Sequence, residues 1–459
     1  MLEPAGCYPA ARNAYKRNDW IVTDPMPRLF MVSRPSLVAA CLFLASTLAA
    51  LPTSSATGQT LTWQQCLERA IASNPELRAA TQDLQAAEFR VRGAGAGYLP
   101  ELSANARYTD SSTSGNSSST FTGSDEPTRS AGLEAKQNIF AGFRDQASVE
   151  RAQANRANID ANLQLIKSRV SADLKSAFAA LRYAQDAIVV ANDIIRRREE
   201  NLRLVELRFE GGRENKGSYL LSKAQVQQAR FELLQANEAV LVAQRRLAKA
   251  IAFEQPEMLQ VVGQPAISDP PTTVDLRALL QQVPAHRQAV ANVDVASADI
   301  RLARSGLLPS LDLTASTNNV KPDSEPSERR DTVGVQLSIP IFSGLRDYYA
   351  TESATATHAA SVDTLADTDR QLLTQLQQTW SDFIQAVQLV EVNRSFLEAQ
   401  RVRAEIARNR YNNGLMSFED WDLIENDLIT RQRTMLLTER DRVTAEAAFE
   451  QAQGIGAIP

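Results

Sequence analysis

Residues 332–347 read TVGVQLSIPIFSGLRD, a stretch that alternates through its first part and then changes character. Val333, Val335, Leu337, Ile339 and Ile341 fall on one side of an extended chain, with Thr332, Gly334, Gln336 and Ser338 on the other. This is the period of two expected of a strand with one apolar face. The closing Gly344-Leu345-Arg346-Asp347 leads into a long stretch, residues 345–413, that holds neither glycine nor proline. The whole passage has an earlier counterpart, since Ile139-Phe140-Ala141-Gly142-Phe143-Arg144-Asp145 matches Ile341-Phe342-Ser343-Gly344-Leu345-Arg346-Asp347.

The echo extends over most of the chain. Arg208-Phe209-Glu210-Gly211-Gly212 matches Arg410-Tyr411-Asn412-Asn413-Gly414 at the same offset of 202 residues (Phe140 to Phe342, Gly212 to Gly414). Upstream, Asn74-Pro75-Glu76-Leu77-Arg78 matches Val283-Pro284-Ala285-His286-Arg287, and Leu99-Pro100-Glu101-Leu102 matches Leu308-Pro309-Ser310-Leu311, at an offset of 209 (Pro75 to Pro284, Pro100 to Pro309). A constant shift on either side of one length change predicts a tandem duplicated repeat. The copies are read as residues 57–265 and 266–459, each a helix, two strands and two helices.

Prolines at 75 and 284 sit where a first helical turn tolerates a missing N–H. Glycines at 93, 95, 97 and 306 end those helices. Strands are predicted at about 101–110, 131–140, 310–317 and 331–341, with Ser-, Thr- and Asn-rich loops between them. Each is long enough for a tilted membrane β-strand. Residues 143–210 and 345–413 each predict one helix of about 65 residues, near 100 Å at about 1.5 Å per residue. Ile159, Leu163, Ile166, Val170, Leu174, Ala177, Leu181, Ala184, Ile188, Ala191 and Ile195 step by three or four along the first, as do Leu372, Leu376, Trp380, Phe383, Val387 and Val390 along the second; both are coiled-coil seams. Turns at Gly211-Gly212 and Asn413-Gly414 lead to returning helices, Ser218–Glu254 and Ser417–Gln453.

The N-terminus carries a targeting signal. Arg34, the apolar run Leu37–Leu51 and the small residues Ser54-Ser55-Ala56 form a secretory signal peptide over 31–56, cleaved near Ala56, and residues 1–30 are an over-extended start. About 15 apolar residues fall short of the roughly 20 that span a bilayer. Val38-Ala39-Ala40-Cys41 resembles a lipoprotein box, but the apolar run continues past Cys41, so lipidation there is the lesser reading. Cys66 is then the sole cysteine after cleavage, which excludes an intrachain disulfide or a cysteine metal cluster. A net charge of −5 supplies no basic field for nucleic acid.

Four strands with one apolar face leave their edge N–H and C=O groups unpaired in lipid, at several kcal/mol each. Copies must pool strands into a closed barrel, and the helix pairs beside them would then enclose a tube. The fold class is therefore a mixed α/β membrane protein: an oligomeric transmembrane β-barrel, four strands per chain, continued by a long antiparallel coiled-coil α-helical barrel. A periplasmic coiled-coil scaffold without a pore is the alternative of another class.

With these motifs in order over residues 60–455, the chain resembles the TolC-type outer-membrane efflux proteins. The resemblance implies a homotrimer in outer-membrane lipid with its helices in the periplasm, docked to a periplasmic adaptor and an inner-membrane pump. It implies a passive exit duct for small molecules such as drugs, or alternatively a type I protein secretion outlet. It places adaptor contacts at the helix turns, on Gly211, Gly212, Lys216, Ser218, Gly414, Leu415 and Ser417. It also implies a carboxylate ring at the constriction six residues past the tip glycine, on Asp420. Two further family positions are Leu423 and Met416 here, so Asp422 is the substitute acid, and Tyr411 matches the tip aromatic that braces the closed state. Ser417-Phe418-Glu419-Asp420 reads equally well as a helix start with an N-cap and acidic first turn.

No enzymatic constellation is visible. His286 and His358 stand in different elements, outside any metal-protease pattern, and no phosphate loop or nucleophile elbow occurs. Met258, Met416 and Met435 are scattered, so no metal cargo is singled out, and no cofactor is expected.

Overall fold

The computed structural model describes residues 59–110, 127–256, 259–323 and 326–459. The segments 1–30 and 31–56, with Cys41, lie outside the described residues, as do Met258 and most of the first inter-strand loop.

In chain order the elements are β1 (Gln59–Thr62), α1 (Trp63–Ser73), α2 (Pro75–Ala94), a short 3-10 turn (Gly95–Tyr98), β2 (Glu101–Thr109), β3 (Thr128–Ala141), α3 (Arg144–Glu210) and α4 (Lys216–Ile251). Then follow β4 (Leu259–Val262), α5 (Leu276–Leu280), α6 (Pro284–Ser305), β5 (Ser310–Pro322), β6 (Glu328–Ser338), α7 (Arg346–Asn412) and α8 (Phe418–Gln453). The order helix, two strands, long helix, returning helix occurs twice, and α3 and α7 each run 67 residues.

Local chemistry sets these boundaries. Asn74 caps α2, its Oδ1 accepting from Glu76 N at 2.9 Å and Leu77 N at 3.2 Å, with Pro75 as the first helical residue. Thr62 and Gln65 form a capping box at the start of α1. At both strand-to-helix corners two consecutive residues are left-handed, Gly142 and Phe143 (φ 61° and 63°) and Gly344 and Leu345 (φ 68° and 64°). The echoed sequence is thus an echoed backbone.

β2, β3, β5 and β6 form one antiparallel sheet in that order. Leu102, Ala135, Ala315 and Val333 stand directly opposite one another across it, and Leu313 opposes Val335, so the apolar side chains share one face. Three strands differ from the sequence reading. β3 and β5 extend beyond the apolar alternation, pairing as far as Thr128 with Pro322, because backbone pairing persists where both faces are polar. β6 covers 328–338, so Ile339 and Ile341 lie past its end; Pro340 has no N–H to continue the ladder. Ile139 is the extra residue of a bulge between Asn138 and Phe140.

β1 and β4 make a small parallel pair that was not read from the sequence, four residues each being too short to show a period. They cover a core where α1, α3 and α4 meet: Leu61, Cys66, Leu174, Phe178, Leu181, Leu247, Ile251 and Leu259 are fully buried, and Trp63 packs edge-on to Phe178 with centroids 5.6 Å apart. α3 packs against α4 and α8, and α7 against α8. The α3 seam follows the predicted steps through Ala184 and then moves to Ile194, Arg198, Asn201 and Val205. A straight helix drifts against a fixed repeat, so over 67 residues the partner-facing stripe rotates.

α3 and α8 are also joined through a buried charge. Lys175 Nζ lies 3.2 Å from Glu446 and 2.9 Å from Glu450, and Ser268 donates to Glu446 from both its N and Oγ at 2.7 Å. After α8 the chain turns at Gly454, with φ 75°, where an added Cβ would lie 2.0 Å from Cδ of Pro284. Gly454→Ala is therefore expected to cost about 3 kcal/mol, from the left-handed backbone and the clash together. Gly93→Ala, in open space within α2, should gain about 0.5–1 kcal/mol. Thermal unfolding of the solubilised protein, followed by far-UV circular dichroism, distinguishes the two signs.

Candidate functional site at the helical tips

The two helix-to-helix turns are built alike. Each long helix ends in paired closing hydrogen bonds: Arg213 N to Arg208 O (2.7 Å) with Gly212 N to Phe209 O (3.0 Å), and Leu415 N to Arg410 O (2.9 Å) with Gly414 N to Tyr411 O (2.9 Å). The pattern requires a left-handed residue, supplied by Gly212 (φ 69°) and Gly414 (φ 74°). The returning helices are capped by Asn215, accepting from Ser218 N at 2.9 Å, and by Ser417, accepting from Asp420 N at 3.0 Å. Lys216 is consequently the first residue of α4 rather than part of the turn, and α8 starts at Phe418.

Gly211, Gly212, Lys216, Gly414, Leu415 and Ser417 are exposed, whereas Ser218 is buried beneath the first turn. Asp420 is exposed on the first turn of α8, its Oδ2 accepting from Ser417 Oγ at 2.8 Å, and Leu423 is exposed beyond it. Asp420 thus serves the N-cap and remains open to solvent within the chain.

Tyr411 is 0% exposed and joins the two turns. Its hydroxyl donates to Glu214 Oε2 at 2.9 Å, its ring stacks on Trp421 with centroids 4.3 Å apart, and the Arg208 guanidinium covers its other face at 4.4 Å. Arg208 also donates to the Tyr411 carbonyl at 2.5 Å. Burial, with the Glu214 carboxylate beside the hydroxyl, holds the Tyr411 phenol well above its ordinary value of 10.

Asp422 belongs to a second network, one to two helical turns further along. Gln225 Nε2 donates to both of its oxygens at 3.0 Å, Asn426 Nδ2 donates at 3.0 Å, and Arg198 Nη1 lies 3.4 Å away. Arg198 also bonds Asn426 and Gln225, so α3, α4 and α8 meet at one guanidinium. Beside it Arg197 grips the fully buried Glu425 through two bonds, at 2.5 and 3.1 Å. Burial draws the Arg198 pKa down, with Asp422 opposing, while the hydrogen bond to Glu425 raises that of Arg197. The carboxylate of Asp422 is turned onto its own chain's helices.

Arg197, Arg198, Arg208, Trp421 and Glu425 were not singled out from the sequence. A signal existed: Arg198 occupies a position in step with Ile194 and Val205, where a charge must find a partner. His286, on α6, sits apart from both turns with Nδ1 2.7 Å from Asp369.

Removing Arg198, which is only 8% exposed, leaves Asp422 unbalanced among packed helices. Arg198→Met should therefore cost about 3 kcal/mol in unfolding free energy, with part of it regained in Arg198→Met/Asp422→Leu. At Tyr411 the raised pKa favours the protonated, folded form. Its contribution is complete below the ordinary phenol value and is lost as pH rises above it. Between about pH 9 and pH 11 the fall in thermal midpoint should thus be shallower in Tyr411→Phe than in the wild type.

The chain is 25% identical over 288 residues to the alkaline protease secretion protein AprF of Pseudomonas aeruginosa, covering 61% of this chain and 60% of that protein. It is 27% identical over 304 residues to the outer membrane protein TolC of Escherichia coli, covering 61% and 59%. The matched stretches thus span about three fifths of these relatives' own length. The crystal structure of the Campylobacter jejuni CmeC outer membrane channel has the same fold, with a TM-score of 0.76, 15% identity, and coverage of 92% of this chain and 94% of that one. The family described as outer membrane efflux protein matches residues 66–252 and 276–455, one stretch in each half, and the chain belongs to that family.

Proposed function

We propose that this chain is one protomer of a passive exit duct in the outer membrane. Three copies pool their sheets into a 12-stranded barrel, and their helix pairs form a tube in the periplasm. The observation that carries this reading is the sheet itself: four strands, apolar on one face and polar on the other, with β2 and β6 left as unpaired edges among the described residues. Identical open edges are commonly satisfied by closed rotational symmetry.

The duct couples through a periplasmic adaptor to an inner-membrane pump and expels small molecules such as drugs. The exposed turn residues Gly211, Gly212, Lys216, Gly414 and Leu415 are the adaptor-facing surface, with Ser417 beside them and Ser218 supporting the first turn from beneath. Asp420, exposed and near the second turn, contributes one carboxylate per copy to a ring at the constriction, and Tyr411 braces the closed tips. The name of AprF supports protein secretion as a second reading of the same tube. The two separate by whether loss of the chain raises drug susceptibility or removes a protein from the medium.

Mass measurement of the solubilised particle should give a trimer, and planar bilayers should show cation-selective conductance. Asp420→Ala should weaken both that selectivity and block by multivalent cations. A monomer without conductance defeats the duct and leaves the scaffold reading; conductance with unchanged selectivity removes only Asp420 from the constriction.

A further inference from the structure

The strand register sorts the apolar face of the sheet into rows. Leu311 stands beside Leu337, Leu313 beside Val335, and Leu102, Ala135, Ala315 and Val333 form a full row. From Leu311 to Ala315 these rows cover about 13 Å of strand at about 3.3 Å per residue, and the next row aligns Ala104, Leu133 and Thr317 with Asp331. In the two rows beyond it, further from the helices, the character changes: Ala106, Ala131, Asn319 and Arg329 align, and then Tyr108, Arg129 and Lys321.

Arg129 and Lys321 are direct cross-strand partners, and like charges so placed repel. The chain does little to relieve this. Arg129 reaches Asp323 only at 3.7 Å, both side chains being largely exposed, and lies 6.0 Å from the Tyr108 ring. Arg329 pairs with Asp331 at 3.1 Å, and Lys321 forms no ion pair among the described residues. Tyr108, Arg129, Asn319 and Lys321 line a shallow depression of about 690 Å³.

We infer that this row binds the phosphate groups of anionic lipid headgroups at the outer rim of the membrane. The inference rests on the reading of the apolar face as lipid-facing. A tyrosine and three cations, in the second and third rows beyond the aliphatic ones, stand at headgroup level, where aromatic rings are anchored and bound phosphates neutralise the opposed charges. On the opposite, polar face the corresponding positions carry Arg107, Glu328 and Arg330, which would face the lumen.

The test uses the full chain purified in detergent, with lipid A as the probe and native mass spectrometry as the readout. The wild type should retain lipid A. Arg129→Gln and Lys321→Gln should each lower retention about fivefold. Arg129→Lys should keep most of it, and Arg330→Gln on the other face should leave it unchanged. Equal retention in all variants, an equal loss in Arg330→Gln, or displacement of lipid A by inorganic phosphate overturns the inference. Each variant is first checked for conductance in phosphatidylcholine bilayers. A protein that conducts without holding lipid A defeats this inference alone, whereas one that never inserts defeats the duct itself.

Discussion

A backbone N–H or C=O left unpaired in hydrocarbon costs several kcal/mol, and the sheet formed by β2, β3, β5 and β6 has two edges lined with such groups. Under the proposed reading this constraint governs the rest of the molecule. The sheet can enter lipid only once another copy supplies the missing partner at each edge. The helices must then sit where that closure puts them. Both long helices leave the sheet through matching left-handed corners, so the tube inherits the spacing of the strands.

Below the sheet the helices face a different problem. A seam of 67 residues cannot present one stripe to one neighbour throughout, and α3 meets several partners along its length. Two ionic clusters punctuate this interface: Lys175 with Glu446 and Glu450 near the middle, and, after the stripe has rotated, Arg197 and Arg198 with Glu425 and Asp422 nearer the tips. Buried pairs of this kind contribute little net stability but penalise misalignment heavily, since a slipped helix strands a charge. Their effect is to fix how the coils lie against each other. At the tips, the stacked Tyr411, Trp421 and Arg208 do the same with aromatic contact.

Much of this was legible in the sequence, for reasons particular to each element. The long helices could be read because nothing in residues 143–210 or 345–413 interrupts them, and glycines flank both stretches, Gly142 and Gly211 in the first copy and Gly344 and Gly414 in the second. β2 was legible because one face is apolar; the outer parts of β3 and β5 were not, because polar residues on both faces erase the alternation. β1 and β4 are too short to carry a pattern. At the tips, Tyr411 and Asp420 stand at family-like positions in the sequence, but whether Asp422 can stand in for Leu423 depends on its partners on α3 and α4, which spacing along one helix does not show. Arginines on a seam cannot be assigned until it is known which of several helices lies opposite.

Phe143 and Leu345 carry a consequence for which substitutions this protein can accumulate. Both are bulky residues held at positive φ, a conformation that costs about 1–2 kcal/mol and that branching at Cβ makes worse. A position chosen for hydrophobicity alone would drift freely among Leu, Ile, Val and Phe. Here handedness removes Ile and Val from that set while admitting Gly or Asn, which share no apolar character with the present residues. The tolerated alphabet at the two corners is therefore written by backbone shape rather than by greasiness, and it constrains the two halves of the chain in the same way.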